Sequence, residues 1–177
     1  PFKRLIEKKK TILGFALNIR PVKDPDLILK IVDIVCKKTT YKFLIVGRDR
    51  QNFWKKLSRK YKKRVIWIKS INHEKMINFY KSIDFLLITS KSEGSPNTVP
   101  EALSNGVPTI SVPIKAMNGL IINNYNGIIS TGRSPPEFLT AILKARNIKR
   151  KLSENAKLFF RKNFDIEKNI NKLRAYF

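Results

Sequence analysis

Cysteine and histidine are almost absent from this 177-residue sequence, and each scarcity excludes a class of protein. The single cysteine, Cys36, cannot form an internal disulfide, and it lies at the end of the apolar-periodic segment 27–35. We therefore expect a core thiol in a reducing compartment rather than a disulfide scaffold. The single histidine, His73, lies beside Glu74 with no cluster of potential ligands around it, so we expect no metal site.

Long apolar runs and glycine-rich phosphate loops are also missing. No stretch approaches the roughly 18 apolar residues that would span a bilayer, and no signal-peptide pattern is visible. Because there is no Gly-x-Gly-x-x-Gly and no Walker loop, NAD or ATP chemistry has little support. Only 7 glycines accompany 42% hydrophobic residues, which excludes a collagen-like or disordered chain. The composition predicts one globular domain, which we expect to act in the cytoplasm.

Acidic residues are scarce as well. The 13 Asp and Glu residues face 37 Lys and Arg, which gives a formal net charge of +24, and residues 55–64 are the densest basic stretch. Such an excess favours an anionic partner: nucleic acid, a membrane surface or a phosphorylated substrate. A compositionally biased, solvated surface would give the same count, so the charge alone leaves the partner open.

Short apolar runs alternate with amphipathic segments along the chain. The runs predict strands at residues 11–17, 41–47, 64–68, 85–89, 108–112 and 127–130. Helices are predicted at residues 26–37, 51–61, 73–83, from near Thr98, and at 118–124, 135–146, 148–162 and 165–176. This alternation predicts an α/β fold, a Rossmann-like doubly wound parallel sheet of about six strands with helices on both faces, followed by C-terminal helices.

Three regions are expected along the chain. Residues 1–10, which begin with Pro1 and are strongly basic, are interpreted as a linker from a missing N-terminal domain. Residues 11–147 form the predicted Rossmann-like domain. Residues 148–177 are expected to be helices that pack on this domain or back toward the missing half.

Two carboxylates bracket a turn rich in Gly, Pro and Asn: Glu93 and Glu101, with seven residues between them. The predicted strand 85–89 precedes the turn and strand 108–112 follows it. The turn therefore lies at the carboxyl end of a strand, where open α/β sheets bind ligands.

A short helix is predicted to begin within this region. Thr98-Val-Pro-Glu101 matches a capping box, and its proline falls in the first turn, where no amide hydrogen is required. Asn105-Gly106 provides a C-terminal stop. The amides of residues 95–99 would then point into the crevice, with the positive end of the helix dipole behind them, and form an anion site.

An anion at this turn would leave one carboxylate for each end of a nucleoside diphosphate sugar. A carboxylate accepts two hydrogen bonds and so matches a vicinal diol. A purely structural interpretation stays open, in which Glu101 only completes the capping box and Glu93 is only a solvated loop acid. Since Glu93 has no structural role in this pattern, it is the better candidate for chemistry.

Residues 90–110 resemble the signature of the retaining family 4 glycosyltransferases, which have the two-Rossmann GT-B fold. The similarity extends to residues 14–24, 41–47, 64–111 and 123–127, all in the C-terminal, donor-binding half of such enzymes. The resemblance implies transfer of a hexose-type sugar, with retention, from a nucleoside diphosphate sugar to a glycan or lipid-linked acceptor, as in polysaccharide or lipopolysaccharide synthesis. It implies no cofactor and no obligatory metal. The acceptor pocket would belong to the N-terminal domain, so this chain alone would be inactive.

The resemblance also implies site residues. Glu93 would be the catalytic residue that faces the transferred sugar, Glu101 would hold the ribose hydroxyls, and Arg20 and Lys23 would neutralise the diphosphate. The donor-binding residues implied are Arg20, Lys23, Gly94, Ser95, Pro96, Asn97, Thr98 and Glu101.

Several positions depart from the family pattern. Leu17-Asn18 stands where Gly-Arg is usual, so Arg20 would replace the missing arginine. Lys69 replaces a glycine, and Lys115-Ala116 and Gly119 replace a Gly-Gly and a Glu, which would alter donor contacts. These departures leave a rival hypothesis: a basic module with a vestigial cleft that binds nucleic acid or anionic lipid. A basic surface resting on the anionic inner membrane face fits both hypotheses, whereas nucleic acid is the less favoured partner of the enzyme.

Overall fold

Six parallel strands form one sheet in the computed structural model, which describes residues 10–50, 52–94 and 96–164. The strands are β1 Ile12–Ala16, β2 Lys42–Val46, β3 Val65–Ile68, β4 Phe85–Ile88, β5 Thr109–Ser111 and β6 Gly127–Ile129. Their spatial order is β3-β2-β1-β4-β5-β6, with every neighbouring pair parallel. This is the doubly wound Rossmann order, so the predicted fold class and all six predicted strands are confirmed.

Helices cover both faces of the sheet. They are α1 Pro25–Lys38, α2 Phe53–Lys60, α3 Met76–Lys81, α4 Thr98–Ser104, α5 Pro135–Asn147 and α6 Lys149–Asn163, with 3-10 turns at Pro21–Lys23, His73–Lys75 and Lys115–Met117. Helices α1, α2 and α5 pack with Phe15 and Phe43 on one face, while α3, α4 and α6 pack with Leu44 and Val46 on the other. The strands read as continuous apolar runs because both of their faces are buried.

The chain leaves the two central strands in opposite directions. Strand β1 leads to α1 on one face, and its neighbour β4 leads to α4 on the other. A crevice opens where such connections diverge, at the carboxyl ends of the strands. The switch point of this sheet therefore lies between the β1–α1 loop and the β4–α4 loop.

The predicted helix at residues 118–124 is wrong. After the 3-10 turn Lys115–Met117 the chain forms turns around the fully buried Asn126. The side-chain Oδ1 of Asn126 accepts a hydrogen bond from the Ile122 amide at 2.8 Å, and the side-chain Nδ2 donates to the Leu120 carbonyl at 3.0 Å. Such side-chain bonds compete with the helical pattern of the backbone.

Helix α6 packs against the domain rather than standing apart from it. Ala156 and Phe159 are buried with residues of α4 in one core cluster, and Leu152 belongs to the cluster on the other face. The predicted helix 165–176 and all of the predicted linker except Lys10 lie outside the described residues. The division at residue 147 stays a prediction. None of the described helices has the length and apolar character needed to cross a membrane.

Most of the described carboxylates are used inside the fold. Those that accept a hydrogen bond from another described residue are Asp24, Asp33, Asp49, Asp84, Glu93, Glu101, Glu137 and Glu154. Asp26 and Glu74 have no such partner among the residues that the structure describes. The positive charges therefore dominate the exposed surface.

Candidate functional site

A cavity lies at the switch point between the two diverging loops. It is lined by Leu17 at the end of β1, by Lys23, and by Ser90, Glu93 and Thr98 of the β4–α4 connection. A second cavity adjoins it over the ends of β2 and β3, where Asn18, Arg48 and Lys69 form part of the wall. The structure thus brings most of the predicted site residues to one crevice.

Glu93 is fixed by two short hydrogen bonds. Its Oε1 atom accepts from the Lys23 ammonium at 2.5 Å and from the Ser90 hydroxyl at 2.5 Å. Only 13% of the Glu93 side chain is exposed, and 23% of the Lys23 side chain. Glu93 therefore has a structural role, which the sequence did not indicate, and this role holds its carboxylate in the cavity.

The two loops are also joined through their backbones. The Thr89 hydroxyl donates to the Lys23 carbonyl at 3.0 Å, and the Lys91 amide donates to the Val22 carbonyl at 2.8 Å. Lys23 is thus tied to the β4–α4 loop by its main chain as well as by its side chain.

Arg133, from the loop between β6 and α5, connects these two loops to a third. Its guanidinium donates to the Ser90 carbonyl at 3.0 Å, to the Thr89 carbonyl at 2.9 Å and to the Asp24 carboxylate at 2.8 Å. Asp24 in turn caps α1 by accepting from the Leu27 amide at 3.3 Å. Sequence patterns did not indicate a role for Arg133, because its partners are distant along the chain.

Helix α4 begins at Thr98, as predicted, but the predicted capping box does not form. The residue before the helix, Asn97, has helical backbone angles (φ −52°, ψ −28°) and makes no side-chain cap, whereas a capping side chain needs an extended backbone. The Val99 amide donates to the Pro96 carbonyl at 2.9 Å, so it is not available to an anion. The predicted anion site at residues 95–99 is therefore smaller than expected.

The Glu101 carboxylate is held by a buried tyrosine. The Tyr80 hydroxyl donates to Glu101 Oε2 at 2.7 Å, and only 1% of Tyr80 is exposed. Burial, followed by the neighbouring Glu101 carboxylate, raises the pKa of Tyr80 well above its usual range. Tyr80 stays neutral, acts as a donor and fixes one oxygen of Glu101.

The remaining predicted residues lie around the mouth of the cleft. Arg20 is exposed beside Lys23 and Glu93, with no side-chain partner among the described residues. Gly94 is exposed, and a Cβ atom there would meet no heavy atom within 4 Å. Asn97 and Pro96 line the cavity. Ser95 lies outside the described residues.

The ends of β1 and β2 approach each other closely beneath the second cavity. Gly47 has φ +153°, and a Cβ atom there would lie 1.7 Å from the Leu17 carbonyl oxygen. Asn18 Oδ1 accepts from the Arg48 amide at 2.7 Å. This bond joins the segments after β1 and β2, which form part of the wall of the second cavity. Lys69 is exposed in this cavity. Only glycine fits at position 47, because any side chain would collide with the neighbouring backbone.

No group of three His, Cys, Asp or Glu residues within the described ranges could hold a metal ion. Cys36 is half-buried against the core, and burial raises the pKa of its thiol. This placement agrees with the core thiol that the sequence predicts.

The model of one protein family, described as glycosyl transferases group 1, matches residues 1–173 of the chain. An uncharacterized glycosyltransferase of Methanocaldococcus jannaschii is 26% identical over 179 residues. That alignment covers 96% of this chain and 45% of the relative. The chain therefore spans about half the length of this curated relative.

Solved structures have the same fold. The alignment with sucrose-phosphate synthase from Thermosynechococcus elongatus covers 99% of this chain and 48% of the synthase chain, at 16% identity and a TM-score of 0.79. HepE of Anabaena, in complex with UDP-glucose, matches 99% of this chain with 51% of its own, at 16% identity and a TM-score of 0.78. The C-terminal domain of LpcC from Francisella tularensis matches 93% of this chain with 92% of its own, at 19% identity and a TM-score of 0.74. At these identities the likeness concerns the fold.

Proposed function

The chain belongs to the glycosyl transferases group 1 family, and on that premise we propose that it is the donor-binding half of a retaining glycosyltransferase. A nucleoside diphosphate sugar would bind in the crevice between the β1–α1 and β4–α4 loops. The observation that carries this proposal is the Lys23–Glu93–Ser90 cluster at the switch point of the sheet. A cation and a carboxylate meet there within one cavity, as binding of a diphosphate next to a sugar requires.

Each group has a proposed role that its position supports. Lys23 and the exposed Arg20 would offset the charge that the diphosphate gains as the glycosidic bond breaks. Glu93 would accept hydrogen bonds from hydroxyls of the transferred sugar. Glu101, with one oxygen fixed by Tyr80, would accept from the ribose hydroxyls with its other oxygen. Since side-chain cations would supply these anion contacts, we expect binding to need no metal.

The whole protein would transfer a hexose-type sugar to a glycan or lipid-linked acceptor. The acceptor would bind between this chain and an N-terminal domain, in agreement with the half-length coverage of the relatives. Both the acceptor and this second domain belong to the proposal. HepE has been seen with UDP-glucose and with UDP and glucose, so uridine nucleotides are the first donors to try.

Calorimetric titration of the chain with UDP, GDP and ADP tests the proposal. We expect one of the three to bind at or below millimolar concentration, with unchanged affinity in EDTA, and Glu101→Ala to weaken it. No binding of any nucleotide would count heavily against a donor site. A basic binding module would instead show a steep loss of polyanion affinity with salt and no effect of Glu101→Ala.

A further inference from the structure

Arg133 is the one side chain that touches all three loops around the cleft in the part of the chain that the structure describes. It starts in the β6–α5 loop, binds the Thr89 and Ser90 carbonyls of the β4–α4 loop, and pairs with Asp24 at the end of the β1–α1 loop. The Arg133 side chain is 34% exposed and that of Asp24 is 16% exposed. Arg133 does not line the Lys23–Glu93 cavity.

The bonds of Arg133 lead directly to Glu93. Ser90, whose carbonyl Arg133 holds, donates its hydroxyl to Glu93 Oε1 at 2.5 Å. Thr89, whose carbonyl Arg133 also holds, donates to the Lys23 carbonyl. A guanidinium presents several donors in a rigid plane, so it fixes three acceptors relative to one another more firmly than the rotatable donors of an ammonium would.

We propose that Arg133 is a positioning residue that sets the Glu93 carboxylate, and thereby the sugar end of the donor site, without touching the donor. The inference rests on the proposed function. The nucleotide end would depend on Glu101 and Tyr80, which belong to α4 and α3 and share no hydrogen bond with Arg133. Loss of Arg133 is therefore expected to reduce the affinity that the sugar adds and to change the affinity for the nucleotide much less.

Arg64 provides a matched control at the opposite end of the sheet. Its guanidinium donates to the Tyr41, Cys36 and Thr39 carbonyls at 2.8, 3.0 and 2.8 Å, just before β2 and β3 begin. Arg133→Met and Arg64→Met remove similar sets of hydrogen bonds and are expected to lower stability by comparable amounts. Arg133 alone lies beside the cleft, so an effect common to both variants reports stability, not positioning.

The experiment compares the affinities of the 177-residue chain for UDP and for UDP-glucose, with UDP-N-acetylglucosamine as a second sugar. Arg133→Met is expected to leave the UDP dissociation constant within about twofold and to lose most of the affinity that the sugar adds, a change of about tenfold. Arg133→Lys should keep part of the affinity that the sugar adds, and Arg64→Met should keep all of that added affinity. An unchanged sugar contribution in Arg133→Met, or an equal loss in Arg64→Met, overturns the proposal.

A second measurement needs no donor. The Lys91 amide is bonded to the Val22 carbonyl across the two loops, so its hydrogen exchange reports their junction. Exchange at Lys91 should accelerate in Arg133→Met and not in Arg64→Met, and an unchanged rate overturns the positioning role. The proposed function fails separately, when the wild-type chain binds no nucleoside diphosphate.

Discussion

Lys23 and Glu93 neutralise each other across 2.5 Å at the point where we propose that the diphosphate and the sugar meet. A diphosphate arriving at Lys23 therefore competes with a carboxylate that already occupies the ammonium. Under the proposed function the same carboxylate would accept hydrogen bonds from the sugar, so the diphosphate would be bound more tightly without the negative charge of Glu93 and the sugar would be bound less tightly.

Glu93→Gln should change the affinity for the diphosphate and the affinity for the sugar in opposite directions. Removing the negative charge frees Lys23 for the diphosphate and removes a repulsion, so UDP should bind several-fold more tightly, while the added affinity from the sugar of UDP-glucose should fall. Titration calorimetry with both ligands measures this. Glu74→Gln is the control, because Glu74 is exposed and has no partner among the described residues. Weaker UDP binding in Glu93→Gln would contradict the arrangement.

Tyr80→Phe tests the nucleotide end. The phenylalanine keeps the packing but leaves Glu101 Oε2 without its donor, so UDP affinity should drop by about three- to tenfold. Binding of inorganic pyrophosphate, which has no ribose, should not change. Tyr41→Phe, which alters a tyrosine at the other end of the sheet, is the control. If the Tyr80→Phe and Glu101→Gln losses simply add in the double variant, Tyr80 does not act through Glu101.

For individual residues, the sequence indicated which side chains line the cleft but not which hydrogen bonds hold those side chains in place. Glu93, Lys23 and Thr98 were identified because motif and strand order place them at one edge of the sheet. Tyr80 and Arg133 bond to residues 18 to 109 positions away, and such pairs leave no local pattern. The roles of the donor residues stay predictions.

Among the helices, α1 and α2 are joined by one carboxylate. Asp33 of α1 accepts from the Tyr61 hydroxyl after α2 and pairs with Lys60 at 3.1 Å and with Lys37 at 2.6 Å. The hydrogen bonds from Lys37, Tyr61 and Lys60, in that order, hold the pKa of Asp33 far below its usual value. The charged form is therefore the one that stabilises the fold.

Asp33→Asn should lower the free energy of unfolding by up to about 1 kcal/mol near neutral pH. Because the folded-state pKa is depressed, this contribution is present above the unfolded-state pKa and is lost as the pH falls through the folded-state value. The difference between wild type and variant should shrink on acidification, as urea unfolding at a series of pH values would show. Asp26→Asn should show a smaller trend, because Asp26 has no side-chain partner among the described residues and interacts only with the amino-terminal end of α1.

The strands were the most predictable elements, because a strand that is buried on both faces must be a continuous apolar run. Phe85–Ile88 is buried throughout and follows this rule. Helices and their caps were less predictable, since they depend on side-chain bonds and backbone angles that local patterns do not settle. Asn126 replaced the predicted helix at 118–124 with turns, and the helical backbone of Asn97 places Thr98 inside α4 rather than at its cap.

For the whole molecule, the net charge of +24 lowers the stability of the folded state through electrostatic repulsion. Since most described carboxylates have internal partners, the excess positive charges repel one another across the surface. The unfolding midpoint should rise as NaCl is raised from about 20 to about 300 mM, because the Debye length shortens severalfold. A Lys55→Glu, Lys56→Glu variant should show a smaller rise, as both lysines are exposed in the basic stretch. A midpoint that falls with salt would mean that ion pairs outweigh the repulsion.

The span of the Arg133–Asp24 pair has a consequence for the time course of folding. Its two residues are 109 positions apart, so the contact cannot form until β6 has joined the sheet beyond β5. Lys23 and Glu93 are both made earlier during synthesis, but the loops that carry them gain their third support only from a segment made later. The sugar end of the cleft should therefore mature among the last steps, and a nascent chain that binds UDP-glucose more tightly than UDP would report that the sheet is complete.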